Sequence, residues 1–317
     1  MPARAVVFAY HDVGVRCLRA LLDGGVEVPL VFTHRDDPGE RIWFASVAEL
    51  AAGRGVETLF AEDPNKPEFV ARLHRLAPDF IFSFYYRRML SPELLAAAKR
   101  GAYNMHGSLL PKYRGRVPVN WAVLHGEHET GATLHEMVAK PDAGRIVDQQ
   151  AVTIGEDDLA VDVFRKVTDA AEAVLRRSLP RLIDGSAMLR AQDLAGGSYF
   201  GGRKPEDGRI DWRKSAREVH NLVRAVAPPY PGAFTDLAAE RLYVLRTRRL
   251  GRDTDTTAAT AHGRSGPALV AGANAPHVTA VCGDGEALAL IELALDGNPL
   301  TVREFVARFG TGPIHIS

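Results

Sequence analysis

Gly101-Ala-Tyr-Asn-Met-His-Gly-Ser-Leu-Leu-Pro-Lys-Tyr-Arg-Gly-Arg-Val-Pro-Val-Asn-Trp121 is the stretch on which the reading of this chain turns. Its first six residues read as a short strand, and residues two apart on a strand share a face. Asn104 and His106 therefore project together, while Tyr103 and Met105 face the other way toward a core. A neutral amide beside an imidazole suits acyl transfer. The imidazole moves protons near neutral pH, and the amide holds a developing oxyanion. A satisfied core histidine is the other reading of His106. The Gly- and Pro-rich loop that follows favours a functional one.

On either side of this strand the chain alternates strand-like and helix-like runs. Ala5 to Ala9 and Val28 to Thr33 read as strands, and Asp79 to Tyr85 as a buried one. Arg16 to Leu22, Ile42 to Arg54 and Glu68 to Leu76 read as helices. Ser91-Pro92 opens a further helix with a capping serine and proline at the first helical position. Thr130 to Val138 and Arg145 to Ile154 form a hairpin pair, and Asp158 to Leu182 a long amphipathic helix. This alternation predicts an α/β fold, a Rossmann-like, mainly parallel sheet with helices on both faces. Ligands of such sheets bind beyond the carboxyl ends of the strands, where Asn104 and His106 stand. The first βα turn, Ala9-Tyr-His-Asp-Val-Gly14, lacks the Gly-rich dinucleotide fingerprint.

Gly196 to Gly208 turns to Gly, Lys, Pro and Asp and reads as a linker. The expected domains are 1–200 and 201–317, the second a small β-barrel-like, OB-like module. It holds a helix at Ala216 to Val226, a hairpin around Gly283-Asp-Gly285 and a capping box at Thr301-Val-Arg-Glu304. Arg252 to Gly266, rich in Thr, Ala, Ser and Gly, reads as a mobile loop.

With 39 basic and 39 acidic residues the net charge is zero, so the whole molecule has no electrostatic bias toward nucleic acid or anionic membrane. Cys17 and Cys282 are too few for a disulfide framework or a cysteine zinc site. No apolar run reaches the ~20 residues of a membrane helix. These features point to the cytoplasm, with no membrane segment and no nucleic acid partner. His125, His128 and His135 invite a metal reading, but their spacing matches no common zinc pattern. No metal is expected.

The run Asn104-x-His106, Ser108-Leu-Leu-Pro111, Arg114-Gly115, Pro118 and Trp121 resembles the signature of the folate-dependent formyltransferases. Met137-Val-Ala-Lys-Pro-Asp142-Ala-Gly144 resembles that family's second motif. The resemblance implies that Asn104, His106 and Asp142 form the catalytic set and that 10-formyltetrahydrofolate is the formyl donor. It also implies donor contacts at Arg88, Met89, Leu90, Arg116, Val138, Ala139, Lys140, Pro141 and Asp142. Arg88 and Met89 differ from the side chains expected there, which a ligand read by backbone groups tolerates.

Phe8-Ala-Tyr-His-Asp12, Phe82-Ser-Phe-Tyr-Tyr-Arg87 and His220-Asn-Leu-Val-Arg-Ala-Val-Ala-Pro-Pro-Tyr-Pro-Gly-Ala-Phe234 extend the similarity. They are most similar to the family branch acting on UDP-4-amino-4-deoxy-L-arabinose. That branch implies a sugar-nucleotide acceptor, formylation within lipid A modification, and a role in polymyxin resistance. In it the chain continues into a decarboxylase domain, whose dinucleotide fingerprint appears nowhere in these residues. Methionyl-tRNA formyltransferase and an enzyme for another nucleotide-linked amino sugar share the same motifs and are the alternatives. The short, mixed-charge loop His34 to Arg41 offers no basic track for tRNA. Tyr10 and Ser108 are candidate acceptor contacts, with His11 beside Tyr10. A strand-end turn is the other reading of Tyr10, and loop positioning that of Ser108. A homo-oligomer is possible on sequence grounds.

Overall fold

The structure, a computed structural model, describes residues 2–238, 240–250, 266–272 and 274–316. In chain order the first elements are β1 (Arg4–Ala9), α1 (His11–Asp23), β2 (Glu27–Thr33), α2 (Val47–Gly53), β3 (Glu57–Phe60) and α3 (Pro67–Leu76). β4 (Phe80–Phe84), α4 (Pro92–Leu95), β5 (Gly101–His106), β6 (Arg114–Gly115), α5 (Pro118–Leu124), β7 (Glu129–Glu136) and β8 (Ile146–Thr153) follow. After α6 (Ala160–Asp184) comes the short β9 (Tyr199–Phe200).

The chain folds as two compact units. The first comprises Met1–Val119, Glu129–Thr153 and Phe164–Gly202, the second Asn120–His128, Ile154–Val163 and Arg203–Ser317. The first unit is built on a seven-stranded sheet of order β3-β2-β1-β4-β5-β7-β8. β3 through β5 run parallel, and β7 and β8 add an antiparallel edge. β4 is Phe-Ile-Phe-Ser-Phe with every residue buried, the continuous apolar pattern of a strand covered on both faces. The strand order reverses between β1 and β4, which places a crevice beyond their carboxyl ends. β5 ends beside it.

The mainly parallel α/β sheet is as the alternation implied. Two local expectations shift. The helix expected from Ile42 starts only at Val47, because the Ser46 hydroxyl accepts from the Glu49 N–H at 3.2 Å and fixes the N-terminus there. The expected linker also contains structure: β9 pairs in parallel with β6.

The second unit holds α7 (Ala216–Val226), β10 (Ala233–Leu237), β11 (Glu240–Arg249), β12 (Ala268–Val270), β13 (Val278–Val281), β14 (Ala287–Leu295), β15 (Asn298–Leu300), α8 (Val302–Phe309) and β16 (Ile314–His315). Its sheet runs β10-β11-β14-β13-β12-β16, all antiparallel, and curls into half a barrel. The β13–β14 hairpin and the Thr301–Glu304 capping box stand where the sequence put them. Of the Thr- and Ala-rich run expected as a loop, residues 252–265 lie outside the described residues. No helix among the described residues is long and apolar enough to cross a membrane.

Candidate active site

Strand pairing assembles the centre. Antiparallel register sets Asn104 opposite His135 and His106 opposite Thr133, so all four side chains share one face of the β5–β7 pair. The His106 ring is buried, and its Nε2 lies 2.7 Å from the Tyr113 carbonyl. A carbonyl only accepts, so Nε2 carries the proton and Nδ1 is left for chemistry. Nδ1 lies 3.6 Å from Asp142 Oδ1, an ion-pair separation too long for a hydrogen bond.

Asp142 arrives from the loop after β7 with φ 52, a left-handed backbone that Asp tolerates better than most residues. Its Oδ2 accepts from the Gly115 N–H at 2.8 Å, and its Oδ1 lies 3.5 Å from His135 Nε2. Burial works against its charge. A protonated His106 ring and the Gly115 N–H oppose burial, and the carboxyl is held well below the usual carboxylate range.

His135 completes the set. Its Nδ1 faces the Glu136 carbonyl at 2.7 Å, so Nδ1 is the donor. In that neutral tautomer Nε2 accepts from Asn104 Nδ2 at 3.2 Å. The bond fixes which way the Asn104 amide points and leaves one of its N–H groups for an oxyanion. The centre therefore contains a proton-moving imidazole, an oriented amide and a buried carboxylate, the parts of a non-covalent acyl transfer.

Ser108 has no accessible surface, and its hydroxyl donates to the Lys112 carbonyl at 2.6 Å. Thr133 Oγ1 donates to the Ser108 carbonyl at 2.6 Å and accepts from the Leu110 N–H at 3.2 Å. Ser108 thus braces the loop. A Cβ on Gly107 would meet the Tyr85 hydroxyl, so the Tyr85 side chain would have to move to admit one.

Tyr10 is buried at the end of β1. Its hydroxyl donates to Asp36 at 2.8 Å, and Arg87 lies over its ring at 4.6 Å. Burial, reinforced by Asp36, pushes its phenol above the ordinary range. His11 stacks on Phe44 at 3.8 Å and meets Trp43 and Phe164 edge-on, and burial with Arg87 pushes it down to about 3.

Arg88 and Met89 are exposed and Leu90 is buried, in a cluster against which Met137 packs. The two loops expected to hold the donor are thereby brought together. Met89, 59% exposed, and Val138, 42% exposed, supply apolar surface suited to a flat ligand. The Met89 carbonyl accepts from Asn65 Nδ2 at 3.0 Å. Ala139 and Lys140 are exposed and Pro141 half-buried on the same loop as Asp142, while Arg116 is exposed just past β6.

Residues 4–179 match the Formyl transferase family, and residues 203–310 match the Formyl transferase C-terminal domain. The chain belongs to the formyl transferase family. It is a formyl-transferring enzyme. Among solved structures it is similar to an N-formyltransferase from Helicobacter canadensis in complex with folinic acid and dTDP-3-aminofucose. Identity there is 19%, with a TM-score of 0.69 over 92% of this chain and 99% of that one. Glycinamide ribonucleotide transformylase 1 from Symbiobacterium toebii is 25% identical, with a TM-score of 0.51 over 61% of this chain and 95% of its own. HypX from Aquifex aeolicus, solved with tetrahydrofolic acid, is 16% identical, with a TM-score of 0.62 over 98% of this chain and 48% of that one.

In this formyl transferase one member of the centre escapes a reading of the sequence. Proximity groups His135 with His125 and His128 as a metal-ligand candidate. The signal that points elsewhere is strand alternation, since Thr133 and His135 are polar positions two apart. Its partner across the sheet depends on register, which no local pattern gives.

Proposed function

We propose that the protein transfers the formyl group of 10-formyltetrahydrofolate to the 4-amino group of UDP-4-amino-4-deoxy-L-arabinose. The observation that carries this reading is the meeting of Asn104, His106 and Asp142 at the end of β5. Family membership and the amino-sugar and folate ligands named for the Helicobacter canadensis protein support it. Residues 1–200 are read as the catalytic domain and 201–317 as the C-terminal domain. In a cell making such a sugar nucleotide, the product would feed lipid A modification and resistance to cationic peptides.

The residues divide the work. When bound, 10-formyltetrahydrofolate supplies a formyl carbon on a nitrogen able to leave as an amine. Asn104 Nδ2 holds the oxygen that becomes negative as the sugar amine bonds to that carbon. His106 Nδ1 takes the proton this amine must lose. It returns the proton to the departing folate nitrogen as the old carbon–nitrogen bond breaks. Asp142 balances the imidazolium in between. Formamide and tetrahydrofolate account for every atom, with no change of oxidation state.

Rates with UDP-4-amino-4-deoxy-L-arabinose, a dTDP-linked amino sugar, glycinamide ribonucleotide and methionyl-tRNA, each at saturating donor, test the assignment. The UDP sugar should be formylated fastest. A faster rate with any other acceptor overturns the acceptor and leaves the formyl transfer standing.

A further inference from the structure

We propose that residues 190–200 are a brace that sets the spacing between His106 and Asp142, and that Gln192 is its positioning residue. The proposal rests on the reading of Asp142 as catalytic.

The brace grips the loop that orients His106. The Ser198 N–H donates to the Pro111 carbonyl at 3.2 Å, and the Tyr113 N–H donates to the Ser198 hydroxyl at 2.8 Å. The Arg114 N–H donates to the Ser198 carbonyl and the Arg116 N–H to the Phe200 carbonyl, both at 3.0 Å. Tyr113, whose carbonyl holds His106, also stacks on Phe200. The approach is so close that a Cβ on Gly197 would collide with the Pro111 carbonyl oxygen.

The same segment grips the Asp142 loop. Arg190 and Ile146 exchange both backbone hydrogen bonds, at 2.7 and 2.8 Å. Two residues on, Gln192 Nε2 donates to the carbonyls of Asp142 at 3.0 Å and Gly144 at 2.5 Å. Two carbonyls leave the amide one orientation, N–H inward. The pair of bonds clamps Asp142, whose backbone is left-handed at φ 52. Gly115, paired through β6 with β9, closes the circuit by donating to Asp142 Oδ2.

Gln192→Leu keeps most of the volume and removes both donors. It should lower kcat about 10- to 100-fold, the scale of a small misplacement of reacting groups, with KM for donor and acceptor little changed. In an Asp142→Asn background the same substitution should cost nothing further, because there is no carboxylate left to position. Gln192→Asn, which keeps the amide but not its reach, should fall in between and serves if the leucine variant does not fold. A second readout needs no acceptor: the ¹⁵N shift of His106 Nδ1 should move in Gln192→Leu toward its value in Asp142→Asn. Wild-type kcat and an unmoved His106 shift in Gln192→Leu would overturn the brace. So would an equal loss in the Asp142→Asn background, which indicates general stability alone. Full turnover by Asp142→Asn itself would remove Asp142 from the mechanism and the brace with it, leaving the acceptor assignment untouched.

Discussion

Two buried histidines, one in each unit, contrast a proposed site residue with a structural polar group. His220, on α7, is 2% exposed and His106, at the end of β5, is 6% exposed, so burial does not tell them apart. His220 has both ring nitrogens engaged, Nδ1 with Thr247 Oγ1 at 2.8 Å and Nε2 with the Glu156 carbonyl at 3.0 Å. Around it Arg224 donates to Asn221 and to the Gly155 carbonyl. His106 has only Nε2 engaged, and its Nδ1 faces a carboxylate across a gap. A closed histidine holds structure together. One with an open nitrogen is available for proton transfer.

Substitution should separate the two most widely in turnover. His106→Ala, Asn104→Ala and Asp142→Ala should each lower formyl transfer by about 10²–10⁴-fold, with circular dichroism unchanged. Near wild-type turnover in a folded His106→Ala protein would put His106 in the same class as His220. Next in size is His135→Ala, which removes the acceptor that orients Asn104. A drop in kcat of about 5-fold is expected, the scale of one hydrogen bond of ~1 kcal/mol. An equal further loss when it is added to Asn104→Ala would show that His135 does not act through the amide.

His220→Gln should do the reverse. It leaves Thr247 or the Glu156 carbonyl short of a partner and should lower unfolding stability by about 1–3 kcal/mol, with kcat/KM unchanged. A fall in kcat without loss of stability would erase the contrast.

The smallest effect concerns pH. Burial lowers the pKa of His220 below the ordinary histidine value of 6.5, despite opposing help from Glu156. Below that value the unfolded chain binds a proton that the folded protein resists, so this contribution to stability is present above pH 6.5 and is lost as pH falls. His11, pushed down to about 3, adds to the same slope. Melting temperatures from neutral pH down to about pH 5 should fall, and less steeply in His220→Gln. Parallel curves for the two proteins would show that His220 does not contribute.

Much of this is legible in sequence for reasons that are local. Alternation places Asn104 and His106 on one face, continuous apolar residues mark β4, and Thr301 with Glu304 marks the last helix. The folate motif leads to Asp142, thirty-six positions beyond His106, which periodicity alone does not reach. What stays hidden depends on contacts distant in sequence. His135 joins the centre through sheet register, and Gln192 reaches it from a stretch whose neighbours look like a linker. The composition of residues 196–208 carries no sign that Ser198 and Phe200 hold a loop more than eighty residues earlier.

The brace also bears on the order in which competence is acquired. Tyr113 and Ser198 are separated by 85 positions and Asp142 and Gln192 by 50. β1, β4 and β5 can pair as soon as they emerge, but the loops beyond them stay unanchored until the chain is made through Phe200. The delay comes from the order of synthesis and not from loop length, since β1 and β4 already pair across a comparable stretch, Ala5 with Phe80. The sheet should therefore be born before the enzyme. Hydrogen exchange on ribosome-stalled chains can read this: before residues 190–200 are made, the amides of β1, β4 and β5 should be protected and those of Tyr113 and Arg116 should not. Simultaneous protection would mean that scaffold and active centre mature in one step.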